Sequence, residues 1–355
     1  MSRKIQESRR FFKNKLYSQR LSTWLYGLIA LIAIFYGSIF LWPVVPSISN
    51  GADSYAYRVK IKPQSGLASI SGQLQEQDVS TSSIVFQVSA RALLLGSKLK
   101  PGTYLLPVRA SLGTILLQIA RGDRVKESIA IVPGMTVWQV RQLVDSHPSL
   151  LHQTKGMSPK EILQKLNLTY PGLEGIFLPD TYVFDPEESD IEIYRRASQA
   201  MQKQLSQAWS QKETNSPLKT PYELLILASI VEKETGRSSD RGMVAAVFTN
   251  RLNKGMLLQT DPTVIYGIGP KFDGNLRKAD LRKDSAYNTY MRKGLPPTPI
   301  AMPSKESISA AIDPAKSNAL FFVAKGDGTS HFSHGLSEHE AAVNQYQRKP
   351  NQTSH

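Results

Sequence analysis

The sequence predicts an α+β protein carried on an N-terminal membrane helix, and three observations predict it. Residues 24–42 read WLYGLIALIAIFYGSIFLW, 19 uncharged and mostly apolar residues, close to the ~20 that an α-helix needs to cross ~30 Å of hydrocarbon. Between Tyr57 and Leu151, short β-like runs ending on proline lead three times into amphipathic helical stretches. From about residue 187 onward longer helical patterns dominate, broken by a polar loop stiffened with prolines.

The apolar run carries Trp24, Tyr26 and Trp42 near its ends, as an aromatic belt does. It is longer than the roughly 7–15-residue apolar stretch of a cleaved signal peptide, and Pro43 and Pro46 follow it. An uncleaved signal anchor over residues 21–46 is therefore expected, in contact with the lipid bilayer. Ahead of it, residues 1–20 hold Arg3, Lys4, Arg9, Arg10, Lys13, Lys15 and Arg20 against Glu7 alone, a net +6. By the positive-inside rule this basic tail stays in the cytoplasm. The expected protein is single-pass, with its folded part on the outer side of the membrane.

Of the formal +14, the chain from Asp53 onward keeps 14 − 6 = +8. The pairs Arg277-Lys278, Arg282-Lys283 and Arg292-Lys293 are scattered and do not form the concentrated basic face, interleaved with aromatics, of a nucleic-acid binder. No nucleic-acid partner is expected. With 355 residues, 41% of them hydrophobic and 20% charged, the chain suits about two folded domains at ~150 residues each and is not largely disordered. The absence of cysteine excludes disulfides, thiolate metal sites and a cysteine nucleophile.

The three strand-plus-helix units are VKIKP before QSGLASISGQL, TYLLP before VRASLGTILLQIA, and SIAIVP before GMTVWQVRQLV. Leu112, Ile115, Leu116 and Ile119 make one helical face; Val137, Val140, Leu143 and Val144 make another. These units resemble LysM-type carbohydrate-binding modules, which implies a LysM-like module over 53–151. Next come a short capped helix in residues 156–168 and the segment LEGIFLPDTYVF, whose Glu174, Asp180 and Tyr182 lie in an apolar setting that suits core more than groove. A scaffold helix is predicted over 187–211, striped by Ile191, Tyr194, Ala197, Met201, Leu205 and Trp209.

YELLILASIVEKETG, residues 222–236, reads as a helix buried on most sides, with Ser229 its one polar interruption and Gly236 placed to end it. Glu232 and Glu234 fall in its last turn, ~200° apart around the axis, so they face different spaces. A carboxylate at the negative end of a helix dipole and against apolar surface is held toward its neutral form, the state a general acid needs. A second helix follows over 240–254. After it, Asp261 and Pro262 start a short turn that leaves Gln259 and Thr260 in a polar approach. Residues 285–304 place Tyr287, Asn288, Thr289 and Tyr290 before a loop holding Pro296, Pro297, Pro299 and Pro303. Such side chains suit sugars, and a long rigid polar loop in a compact domain is usually functional.

Three other arrangements carry less. His331, His334 and His339 lack the spacing of a helical zinc site, so no metal is expected. GDGTSH, residues 326–331, lacks the strand and lysine of a phosphate cradle. Ser229 sits in an apolar helix and on no nucleophile elbow.

SIVEKETG, VFTNRLNKGMLLQTDPTVIYG, SAYNTYMRKGLPPTPIAMPS, AAIDPAKSNALFFVAKGDGTSHFS and LEGIFLPDTYVF resemble, in chain order, the blocks of the membrane-anchored endolytic murein transglycosylases, the MltG or YceG-like family. The resemblance implies a YceG-like catalytic domain over 152–345 and a weakly matching tail, 346–355. It implies cleavage of the β-1,4 bond between N-acetylmuramic acid and N-acetylglucosamine in peptidoglycan strands, leaving 1,6-anhydro ends, without a cofactor. Matched position by position, it puts catalysis on Glu234, with Glu232 second, and substrate contact on Gln259, Thr260, Asp261, Tyr287, Asn288 and Tyr290. It also makes peptidoglycan synthases or division proteins candidate partners. The alternatives are a non-catalytic peptidoglycan-binding membrane adaptor, which would bind without turnover, and a muramidase, which would leave reducing ends.

Overall fold

The computed structural model describes residues 23–46 and 56–348. The basic tail expected over 1–20, residues 21–22 of the expected anchor, the start of the module at 53 and residues 349–355 of the expected tail lie outside the described residues. Mixed helix and sheet make the chain α+β, and it separates into two compact units, residues 1–126 and 127–355.

The first unit opens with helix α1 (Thr23–Leu41), 19 residues of mean hydropathy 2.1 and long and apolar enough to cross a membrane. Its large side chains are exposed nearly all round, Trp24 at 80% and Leu31 at 66%.

Strand β1 (Ala56–Ile61) then pairs antiparallel with β2 (Gly102–Pro107), Ala56 opposite Pro107 and Ile61 opposite Gly102. Helices α2 (Leu67–Glu76) and α3 (Ser83–Ala92) lie between these strands in sequence, and α4 (Leu112–Arg121) follows. Alternation along the strands buries Val59, Ile61, Tyr104 and Leu106 against the predicted α4 face of Leu112, Ile115, Leu116 and Ile119. Ser111 caps α4, its Oγ accepting from the Thr114 N–H. The outer edge of β1 is occupied by side chains: Gln73 Oε1 accepts from Lys62 N at 2.8 Å and Gln77 Oε1 from Lys60 N at 2.7 Å. On the outer edge of β2, Gln118 Nε2 donates to Leu105 O and Val125 N to Thr103 O.

Helix α3 carries no sequence expectation. Its buried Phe86, Ser89 and Ala90 share the helix with exposed Ile84, Val85 and Val88, so apolar residues on both faces blur the 3.6-residue period.

The third strand-plus-helix unit, grouped by sequence with the first two, packs in the second compact unit instead. Strand β3 (Glu127–Ile131) pairs antiparallel with a distant partner, β5 (Asp180–Phe184). Ile129, Ile131, Val140 and Val144, from β3 and helix α5 (Val137–Asp145), join the core of that unit. The compact units meet at Lys126 and Glu127, whereas the sequence suggested a division after residue 151.

The same core takes up Leu173, Ile176, Phe177 and Leu178 of LEGIFLPDTYVF. Around it run α6 (Pro159–Leu166), α7 (Asp190–Trp209), α8 (Pro221–Glu234), α9 (Arg241–Asn253), α10 (Asp261–Ile268), α11 (Lys278–Arg282), α12 (Lys305–Ile312) and α13 (Leu336–Val343). Small sheets complete it: β4 (Leu150–Leu151) parallel to β6 (Glu188–Ser189), and β7 (Phe321–Ala324) antiparallel to β8 (Ser330–Ser333).

Helix α8 is the axis. Every residue from Leu224 to Val231 is buried, and α7, α9, α10 and α12 all touch it. Ser229, its one polar interruption, donates to Ile226 O and accepts from Ile300 N at 3.0 Å, pinning the proline loop to the helix. Pro299 lies so close to Gly175 that a Cβ there would meet it at 2.5 Å, and Gly175 has φ +79°. Helix α8 does not end on a left-handed Gly236. Thr235 is its C-cap, its N–H and Oγ1 both donating to Val231 O at 3.0 and 2.6 Å, and Gly236 stands just beyond it.

Candidate active site

Because α8 runs through the core, its last turn is where two acids emerge in different directions. Glu232 is spent on structure: its Oε2 accepts from Ser304 N at 2.9 Å, Ser304 Oγ at 2.5 Å and Ser307 Oγ at 2.6 Å. Ser304 caps α12, so Glu232 puts a negative charge at that helix's N-terminus, where the dipole favours it.

Glu234 has no such set of donors. Among the described residues its carboxylate accepts one hydrogen bond, from Thr260 Oγ1. It keeps a partly open surface, yet burial of the carboxyl is the main influence on it and raises its pKa above the ordinary glutamate value. The Asp261 charge pushes the same way, and the Thr260 hydrogen bond and the Arg251 charge oppose it.

Thr260, 2% exposed, is fixed by neighbouring threonines. Its N–H donates to Thr289 Oγ1 at 3.1 Å, and Thr289 Oγ1 and Thr263 Oγ1 lie 2.9 Å apart. Before it, Gln259 has φ +48°, a conformation that costs a non-glycine residue about 1–3 kcal/mol and collects at functional sites. The Gln259 N–H donates to Thr289 O at 3.1 Å, and its side chain is exposed. Asp261 opens α10 and accepts from the Tyr290 hydroxyl at 2.6 Å. Burial, then Asp261, hold the Tyr290 phenol above its usual range.

Of the expected residues, Thr260, Asp261 and Tyr290 thus converge on Glu234 directly or through one another, with Gln259 beside them. Tyr287 lies in the same loop, its hydroxyl 2.8 Å from Thr298 Oγ1. Asn288 is 1% exposed and its amide is fully committed. Nδ2 donates to the carbonyls of Asp280, Leu281 and Lys283, and Oδ1 accepts from Tyr290 N. It holds the loop in shape beneath Tyr290 and has no free polar atom for a ligand.

Several residues escaped the sequence reading. Arg251 is buried, donating to the carbonyls of Leu320, Leu257 and Leu258, with its guanidinium 5.1 Å from the Phe321 ring centroid. Burial lowers its pKa, and Tyr290 and Glu234 act to raise it. Its signal was available: with Val244, Val247 and Phe248 it occupies the inward face of α9 at helical spacing.

Glu174, 3% exposed, is a second buried acid. Both its oxygens accept from Val137 N, at 3.1 and 2.9 Å, at the start of α5. Burial pushes its pKa to about 7, against the pull of the Val137 N–H and the Tyr266 hydroxyl. Trp138, next to Val137, stacks on Tyr266 with centroids 5.1 Å apart and planes 25° from parallel. Tyr266 in turn meets Tyr287 at 5.0 Å.

The group of metal-ligating type among the described residues is Asp145, His152 and Asp190, with ligand atoms within 4.8 Å of one another. Asp190 there accepts from Gln153 N, Thr154 N and Thr154 Oγ1 and so ties the loop after β4 to α7. A cavity of about 430 Å³ lined by Thr249, Asn250, Asp313 and Ser317 contains none of the expected site residues.

Comparison with known proteins places this geometry in a family. The model of the YceG-like family matches residues 59–345. The endolytic murein transglycosylase of Bacillus subtilis (strain 168) is 30% identical over 333 residues, covering 88% of this chain and 90% of that protein. The protein of the same name from Streptococcus pneumoniae serotype 2 is 35% identical over 177 residues, 48% of this chain and 32% of its own length. A crystal structure of a yceG-like protein from Listeria monocytogenes superposes with a TM-score of 0.52 at 30% identity, over 81% of this chain and 98% of that one. With the family model spanning both compact units and the B. subtilis relative matched nearly end to end, the chain belongs to the YceG-like family.

Proposed function

We propose that the protein is a membrane-anchored endolytic transglycosylase of peptidoglycan, with Glu234 as its single acid–base group. The observation that carries this reading is the contrast between the two acids of α8. Glu232 is consumed by three donors, whereas Glu234 is held toward its neutral form by burial with one hydroxyl in contact. The names of the B. subtilis and S. pneumoniae relatives support the substrate.

The chemistry needs one well-placed carboxyl. Neutral Glu234 gives its proton to the glycosidic oxygen as the bond from C1 of N-acetylmuramic acid breaks. The C6 hydroxyl of the same sugar then bonds to C1 and yields its proton to the Glu234 carboxylate, which is ready for another cycle. No water enters, and the product ends are 1,6-anhydro. A hydrolytic glycosidase places a second carboxylate opposite the first. Asp261, the nearby candidate, is paired with the Tyr290 hydroxyl and follows Thr260 directly in the chain. Gln259, Tyr287 and Tyr290 are the assigned sugar contacts, while Thr260 orients the acid and Asn288 shapes the loop.

In this reading α1 is the anchor, with the basic tail on the cytoplasmic side and the folded residues that follow the anchor on the outer side. The order β1, α2, α3, β2, two helices between paired strands, supports a LysM-like role in holding glycan for the first unit.

Digestion of purified peptidoglycan strands followed by mass spectrometry tests the proposal. Anhydro ends are expected, with Glu234→Gln slowing their release by about 10²–10⁴-fold, the usual share of acid–base catalysis. Reducing ends would make the protein a muramidase, and binding without any product would make it an adaptor.

A further inference from the structure

We propose that Trp138 and Tyr266 form a stacking platform for a pyranose ring of the glycan, one that does not carry the bond being cut. The proposal rests on the glycan-cleaving reading of the Glu234 site.

Trp138 is half-buried and is not among the residues packed on the core, whereas Tyr266 and Tyr287 are. The indole lies nearly flat on Tyr266 at 5.1 Å and 25°, so one face is backed by a ring that is itself supported, and the outward surface remains partly open. A large, rigid, amphipathic ring held this way suits the apolar face of a sugar and costs little conformational entropy to use.

Both halves of the platform lead back to Glu234. Tyr266 sits on α10, the helix that begins beside Thr260, and five residues past Asp261 it is ~7.5 Å further along the axis. Trp138 follows the loop whose Gly134 carbonyl accepts from Lys233 Nζ at 3.5 Å, and Lys233 precedes Glu234. The same loop is fastened to Met302 by Gly134 N to Met302 O at 2.9 Å and Met302 N to Met135 O at 2.7 Å. Glu174 then fixes the first residue of α5 through the Val137 N–H, which sets the direction from which Trp138 reaches Tyr266. The proposal thus puts a ring on this platform and a bond at Glu234 on the same glycan strand.

The test uses the full chain in detergent and peptide-free peptidoglycan glycan strands as the probe. Dissociation constants are measured in a Glu234→Gln background, and KM and kcat in the active protein. Trp138→Ala is expected to weaken binding about tenfold and to raise KM by a similar factor with kcat nearly unchanged. Trp138→Phe, which keeps an aromatic face, is expected to recover most of the loss, and this separates the platform from a folding defect. Unchanged affinity in Trp138→Ala overturns the platform alone, as does a loss that Trp138→Phe fails to recover. Failure of the Glu234→Gln protein itself to bind strands overturns the platform together with the reading beneath it.

Discussion

At the scale of single residues, the protonation of Glu234 is balanced between identifiable neighbours, and each can be altered. Thr260 donates to the ionised carboxylate and lowers its pKa, while the Asp261 charge raises it. If Glu234 acts first as an acid, activity falls as pH rises through its pKa. Thr260→Val therefore moves the alkaline limb of the pH–rate profile to higher pH, and Asp261→Asn moves it lower; initial rates of anhydro-end release across pH measure both. Glu174 supplies a stability counterpart. Its carboxyl lies at about 7 in the fold against 4.5 for the free group. The folded state thus binds the extra proton between those values, and stability falls as pH rises from about 4.5 to about 7 before levelling. The full effect is of order 3 kcal/mol. Glu174→Gln is expected to flatten that slope, read as the pH dependence of the unfolding midpoint. Glu234 stood out in the sequence because it ends an apolar run, and the family resemblance chose it over Glu232 for the role proposed. Glu174 was weighed with Asp180 and Tyr182 as groove or core and is buried, but nothing local shows that residue 137 will bring it a backbone N–H.

At the scale of elements, the proposed function gives the two acids of α8 different work, stability for Glu232 and chemistry for Glu234. Glu232→Ala strands three donors at the start of α12 and is expected to cost about 1–3 kcal/mol, seen as a lower unfolding midpoint. Glu234→Gln leaves the midpoint near the wild-type value. A result in which Glu232→Ala abolishes anhydro-end formation in a fully folded protein would reverse the assignment. Sequence periodicity located α4 and α7 because each has one dominant apolar stripe, and α8 because it is apolar nearly throughout. It passed over α3, where Ile84, Val85 and Val88 face outward. It put Gly236 just past the end of α8, where it stands after the C-cap Thr235, but gave no sign of the threonine hydroxyl bonding back to Val231.

At the scale of the whole molecule, what escaped the sequence was partnership over distance. SIAIVP and GMTVWQVRQLV look like a third copy of the preceding units, but β3 pairs with β5 some fifty residues later and not with β1 or β2. Local pattern fixes an element's type and leaves its neighbours open. A chain beginning at residue 127 is accordingly expected to fold cooperatively by circular dichroism and thermal melting. One beginning at residue 152 loses β3 and α5 and uncovers Phe184 and Tyr182, so it is expected to be molten or insoluble.

In the first unit, the Gln73, Gln77, Gln118 and Val125 contacts along the outer edges of β1 and β2 bear on how copies of the chain tolerate crowding. A two-stranded sheet normally offers two rows of unpaired backbone groups to any strand that drifts past. Here those rows are partly filled from within the same chain. In the anchored arrangement proposed above, copies confined to one surface are therefore expected to find little purchase for zipping together strand to strand.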